Sequence, residues 1–349
     1  MKNIMIIGNL GYIGPLVVSK LRDKYPNSFL IGFDIGYFEH VLSSVKFSPE
    51  TKLNAQYYGD VRNFPYELLE NIDSIVYLAA ISNDPMGNEF QKITREVNHL
   101  SAVKIANKAK DLGVKDFVFA SSCSVYGFTE DGMRNEHSDL NPLTAYAKSK
   151  IDAENDLENI ANQDFKITCL RFATACGFSP RLRLDLVLND FVASAVANNS
   201  IDILSDGKPW RPLIHVKDMA VAIDWAIIRK NTVDDNFLAI NAGSNEWNYQ
   251  IQNLAEGVKK VIPKVNIEIN HDAAPDKRSY QVDFTNFKNL APDYYPAITL
   301  EDAVEGLYKG LMEMKFKDQE FRNSKFIRLN VLKSHIKSKV LNRNLRWKN

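Results

Sequence analysis

Residues 4 to 7, Ile-Met-Ile-Ile, form an apolar run that stops at Gly8, the pattern of a strand buried on both faces of a parallel sheet. From Pro15 to about Lys24 the apolar positions Leu16, Val17 and Leu21 fall on one side of a helix. Pro15 suits its first turn, where a missing N–H costs nothing. Phe29 to Phe33 reads as a second strand ending at Asp34. The alternation continues with strands over 74–79, 116–120 and 167–172. Between them the pattern predicts helices over 94–112, ending at Gly113, and from Tyr146 to about Ile160. Strands alternating with helices imply an α/β fold with a mostly parallel sheet covered on both faces.

After about Gly177 the rhythm becomes irregular. Segments 178–212 and 245–315 are expected to form a smaller substrate-binding lobe, interleaved with a return to the main sheet around 213–242. The last 30 residues, including Phe326 to Lys333, read as one amphipathic helix with a basic face, packed on the body or on a partner subunit. That gives three parts: 1–177 with about 213–242, then 178–212 with 245–315, then 316–349.

Composition narrows the function. At 349 residues, the chain exceeds what one hydrophobic core usually serves. Lys+Arg and Asp+Glu balance at 43 each, which argues against nucleic acid as the main partner, since phosphate neutralisation needs a basic surplus. Cys123, Cys169 and Cys176 show no CxxC spacing, so neither a disulfide framework nor a zinc site is expected, and a reducing, cytoplasmic setting is. No apolar run has membrane-span length, and the N-terminal apolar segment is too short for a secretory leader.

Candidate chemistry begins at Gly8-Asn-Leu-Gly11-Tyr12-Ile13-Gly14, between the first strand and the first helix. Glycines there let backbone approach a pyrophosphate that meets the helix N-terminus. Asp34, at the tip of the next strand, would accept hydrogen bonds from adenosine ribose hydroxyls and repel a 2′-phosphate. NAD is therefore expected over NADP. Tyr146 and Lys150 stand four apart on a helix and share one face. A tyrosine with pKa near ~10 is a poor base at neutral pH; a lysine ammonium beside it would favour the phenolate.

With these motifs the chain resembles the extended short-chain dehydrogenase/reductase family, the group of nucleotide-sugar epimerases and dehydratases. The resemblance covers residues 1 to about 315. It implies a Rossmann-type doubly wound sheet, and cofactor contacts at Asp60 and Val61 of Gly59-Asp60-Val61, at Leu78-Ala79-Ala80, and at Asn98. It implies that Ser122, before Val125-Tyr126-Gly127, hydrogen-bonds the reacting hydroxyl, with Ser121 and Ser124 as near alternatives. The 4,6-dehydratases of this group carry Asp-Glu directly after that residue. Here Cys123 and Ser124 stand instead, which disfavours that elimination; Cys123 reads as a buried spacer. For a nucleoside-diphosphate sugar the resemblance implies contacts at Ser124, at Thr174 (in place of the usual Asn), at Asn189, at Arg211 and at Arg278. Arg181 and Arg183 read as solvated or salt-bridged surface, and His215 as packed beneath the sheet. A homodimer built on helices 94–112 and 146–160 is a further implication. The expected activity is oxidoreduction at C4 of the sugar, first as an epimerase, with dehydrogenase or ketoreductase as alternatives. A non-catalytic NAD-binding regulator comes last.

Overall fold

Ile4 to Ile7 are fully buried, as a strand covered by helices on both faces must be. In the computed structural model, residues 2–43, 47–128, 132–230, 235–270, 272–273 and 279–348 are described. Seven strands make the main sheet: β1 (Asn3–Ile7), β2 (Phe29–Asp34), β3 (Ala55–Tyr58), β4 (Ser74–Tyr77), β5 (Asp116–Ser122), β6 (Lys166–Phe172) and β7 (Phe237–Ala242). All pair in parallel, in the order β7-β6-β5-β4-β1-β2-β3.

Alternation along β1 divides the core. Ile4 and Ile6 pack with Val17, Leu21 and Ile223 of helices Gly14–Lys24 and Val216–Ile228. Met5 and Ile7 face the other side, with Ile105, Ala109 and Leu157 of helices Ser101–Asp111 and Ala145–Glu158. Because chain order reverses between β1 and β4, a crevice opens at the carboxyl ends of the strands, where open α/β sheets bind ligands. A second core joins helices Val187–Asn198, Ile251–Val261 and Leu300–Glu313 through Leu188, Val192, Leu254, Val258 and Leu307.

Three segments differ from the sequence pattern. The return after residue 213 reaches the main sheet only with β7; Trp210–His215 pairs instead with Thr174–Cys176 and Asn248–Gln250 in a separate three-stranded sheet. The helix expected over 94–112 begins at Gln91 and contains a π turn at Glu96–Leu100, an uncommon geometry that inserts one residue per turn. The C-terminal extension is not one long helix. Helix Arg328–Lys337 ends where Lys339 takes φ 64°, and the chain folds back so that Leu341 pairs with Trp347. Leu341 and Leu345 are buried there against Tyr37, Ile81 and Phe90, an apolar gain that a single straight helix would forgo. No helix among the described residues is long and apolar enough to cross a membrane.

Candidate active site

The crevice is a cavity of about 840 Å3 bounded by the glycine-rich loop, the ends of β2, β4 and β5, and helix Val187–Asn198. Gly8 has φ +92°, and a Cβ there would lie 2.4 Å from the Ala79 amide nitrogen. The loop is thereby pressed against the end of β4. A Cβ at Gly11 would meet only the Gly8 carbonyl, at 3.3 Å, and would otherwise stand in the cavity. The helix that follows has no capping side chain and no acid in its first turn, which leaves its positive end available to an anion. These features fit a dinucleotide.

Asp34 ends β2 at the cavity wall. Its carboxylate accepts from the Leu10 amide (3.0 Å) and the Gly36 amide (2.8 Å), and burial pushes its pKa up. Asp60 and Val61 also line the cavity. The Asp60 carboxylate is held by Arg62 at 2.6 Å, and Arg62 in turn donates to the carbonyls of Asn344 and Leu345 in the C-terminal extension. Gly11, Tyr12, Ile13, Gly14, Leu78, Ala79 and Ala80 complete this half of the wall.

Tyr146 and Lys150 come from helix Ala145–Glu158, whose start is fixed by Thr144: its hydroxyl accepts from the Ala147 amide and donates to Asp84. Ser122, the last residue of β5, accepts from the Ser124 amide, and its hydroxyl is near enough to Tyr146 to favour the phenolate. Lys150 Nζ donates to the Ala120 carbonyl at 2.6 Å and lies 5.6 Å from the Tyr146 ring centroid. Burial drives Lys150 down to about 7, opposed by the nearby Glu154 carboxylate. Burial also raises the Tyr146 phenol to about 12, although Ser122 opposes it. The expected depression of the tyrosine pKa is therefore absent from the protein alone. Desolvation outweighs the groups that favour the phenolate, and the Lys150 ammonium is turned onto the Ala120 carbonyl.

The far half holds Ser124, Thr174 and Arg211. The Ser124 hydroxyl is buried without a partner. Two expected contacts stand behind the wall instead. Asn98 sits in the π turn, fully buried, and its amide bonds both backbone groups of Ile81 and the Ser149 hydroxyl. Asn189 accepts from the Gly177 amide and donates to the Tyr12 hydroxyl and the Arg183 carbonyl. Both asparagines hold the lining residues rather than line the cavity. Arg278 lies outside the described residues. Arg181 and Arg183 are buried, not solvated: Arg181 pairs with Glu50 at 2.8 Å, and Arg183 pairs with Asp185 at 2.9 Å and lines the cavity. Cys123 is buried off the cavity, its thiol pushed up and donated to the Arg171 carbonyl. His215 is buried, caps helix Val216–Ile228 through the Lys217 amide, and is lowered to about 4.

Other wall residues had no local signal in the sequence. Asp84, Tyr280 and Arg328 reach the cavity from distant segments. Asn83-Asp84-Pro85 carries a helix-start pattern, and Asn83 does cap helix Asp84–Glu89, but nothing local shows that it faces a ligand. Among the described residues, no group of three His, Cys, Asp or Glu could hold a metal.

Sheet, glycine-rich crevice and the Tyr/Lys/Ser cluster are those of a dinucleotide-dependent enzyme. The model of the NAD dependent epimerase/dehydratase family matches residues 4–243, and the chain belongs to that family. NAD is its cofactor. The uncharacterized UDP-glucose epimerase YtcB of Bacillus subtilis is 27% identical over 311 residues, spanning 86% of this chain and 95% of that one. A dTDP-D-glucose 4,6-dehydratase of Dictyostelium discoideum is 27% identical over 282 residues, 75% of this chain and 62% of the relative. Among solved structures, the UDP-glucuronic acid 4-epimerase of Bacillus cereus, in complex with UDP-glucuronic acid and NAD, superposes with a TM-score of 0.75. It is 22% identical, with 90% and 100% of the two chains covered.

Proposed function

We propose that this enzyme oxidises and re-reduces C4 of a nucleoside-diphosphate sugar through Tyr146, acting as an epimerase. The observation that carries the reading is the placement of Tyr146 and Ser122. Both line the same cavity wall, close enough for Ser122 to favour the Tyr146 phenolate, and share that cavity with the glycine-rich loop, Ser124, Thr174 and Arg211. NAD, when bound, supplies the hydride acceptor and later the donor. Tyr146 takes the proton of the sugar hydroxyl as the C4–H bond gives up its hydride, leaving a 4-ketone. The same phenol returns the proton after the sugar has turned its other face. Lys150 supports the phenolate in its charged form, and Ser122 donates a hydrogen bond that orients the reacting oxygen. Arg211 would hold diphosphate oxygens through paired N–H groups.

The two positions after Ser122 weigh against 4,6-elimination. Cys123 is buried away from the cavity and Ser124 offers a hydroxyl, so no carboxylate stands there to remove the C5 proton. The test is incubation with NAD and a panel of UDP-, GDP-, CDP- and dTDP-hexoses, with proton NMR and 340 nm absorbance recorded together. Two epimers at equilibrium without net NADH support the reading. A ketosugar with stoichiometric NADH makes the enzyme a dehydrogenase, and a 4-keto-6-deoxysugar product refutes the argument from Cys123 and Ser124.

A further inference from the structure

Arg328, the first residue of helix Arg328–Lys337, is a buried cation without a counter-ion among the described residues. It is 1% exposed and comes from the extension beyond the segment that the family model matches. One terminal nitrogen donates to the Arg181 carbonyl at 2.8 Å; the other, Nη1, is buried with no partner. The guanidinium lies 4.6 Å from the Phe38 ring centroid. Two neighbouring arginines have acids of their own: Arg181 has Glu50, and Arg183 has Asp185, which also accepts from Asn83. Of these three arginines, Arg328 alone has no acid partner among the described residues. Burial together with repulsion by Arg183 and Arg181 pulls it down to about 9, opposed by Asp185.

An unpaired buried guanidinium is costly unless something anionic completes it. Arg328 lines the cavity, so a ligand there can do so. Its surroundings lie toward the cofactor. Phe38 follows Asp34 and Tyr37 after β2, and these line the cavity together with Arg328 and with Tyr12 of the glycine-rich loop. The only diphosphates expected in this cavity are those of the dinucleotide and of the sugar nucleotide. We propose that Arg328 is a cofactor-binding residue, donating from the C-terminal extension to the diphosphate of NAD. The glycine-rich loop and helix Gly14–Lys24 would then supply backbone groups and dipole, while the extension supplies the formal charge. The extension is thereby part of the cofactor site.

The experiment compares wild type, Arg328→Met and Arg328→Lys in full-length protein stripped of nucleotide. Binding of NAD, ADP-ribose and UDP is measured by isothermal titration calorimetry, and melting temperatures are recorded with and without each ligand. Arg328→Met is expected to bind NAD and ADP-ribose about tenfold or more weakly, since charge-assisted hydrogen bonds are the strong ones. UDP affinity should stay within about twofold, and Arg328→Lys should recover part of the loss. Without ligand, Arg328→Met should melt no lower than wild type, because it removes a buried charge. Unchanged NAD affinity in folded Arg328→Met overturns the proposal, as does a loss confined to UDP, which would give the arginine to the sugar nucleotide. If Arg328→Met does not fold, Arg328→Lys decides: its NAD-induced rise in melting temperature must be smaller than that of wild type.

Discussion

Replacing Lys150 by methionine separates what this residue does for chemistry from what it does to the fold. In the folded protein Lys150 is 2% exposed, and its pKa is lowered from 10.5 to about 7. Between those values the unfolded chain binds a proton that the folded chain does not, so wild-type stability rises with pH across that window. Below about pH 7 the buried ammonium is fully charged, and three and a half pKa units correspond to about 5 kcal/mol of penalty. Methionine removes this penalty but also the bond to the Ala120 carbonyl, worth about 1–2 kcal/mol. A net stabilisation of roughly 3 kcal/mol is expected near pH 6, which for a chain of this length is about 3–5 °C in melting temperature. The gain should shrink as pH rises and vanish above the ordinary lysine pKa. Activity should move the other way, with turnover falling by roughly a hundredfold or more. Melting curves of both proteins at half-unit steps from about pH 6 to pH 10, with sugar-nucleotide turnover followed by proton NMR in parallel, provide the check. A variant less stable than wild type at low pH, or a stability gap independent of pH, would falsify the burial argument.

Other substitutions probe the rest of the site. Tyr146→Phe should lose roughly a hundred- to ten-thousandfold in turnover with NAD affinity and melting temperature nearly unchanged; normal activity would remove Tyr146 from the mechanism. Gly11→Val places a side chain in the cavity and meets little else. It should weaken NAD binding in calorimetry by about tenfold or more while the fold melts as before, so intact binding would mean that the loop does not cradle the cofactor. Cys123→Ala should cost about 1 kcal/mol of stability and leave turnover within about twofold, since the thiol is buried away from the cavity. A thiol reagent should label none of the three cysteines until the protein unfolds; rapid labelling of native protein coupled to inactivation would give Cys123 a role that the geometry denies it.

What could be read from sequence was whatever rests on one short segment. The glycine-rich loop, Asp34 and the pair Tyr146 and Lys150 each owe their placement to a strand end or a helical turn, so local spacing brought them to the cavity wall. Residues delivered by long-range packing left no such trace. Asp84, Arg183, Tyr280 and Arg328 meet only because helices and loops from four parts of the chain close around one space. The family resemblance put Asn98 at the cavity, but the π turn directs its amide to the Ile81 backbone. The direction of the Tyr146 shift was equally hidden: a lysine four residues away suggests a depressed pKa, whereas the sign depends on burial, which is a property of the assembled fold. The tail read as one basic amphipathic helix because its charges are visible in sequence, while the groove that folds it back and buries Leu341 and Leu345 is not.

Asn189 makes the two halves of the cavity thermodynamically reciprocal. One amide group grips the Tyr12 hydroxyl of the dinucleotide loop and the Gly177 and Arg183 backbone that leads into the second lobe. A ligand that steadies the glycine-rich loop therefore also steadies the first turn of the sugar lobe, and linkage requires the converse with the same coupling factor. Cofactor and sugar nucleotide should then bind with positive cooperativity, each lowering the dissociation constant of the other, which under the proposed epimerase reading would retain the cofactor until its hydride is returned.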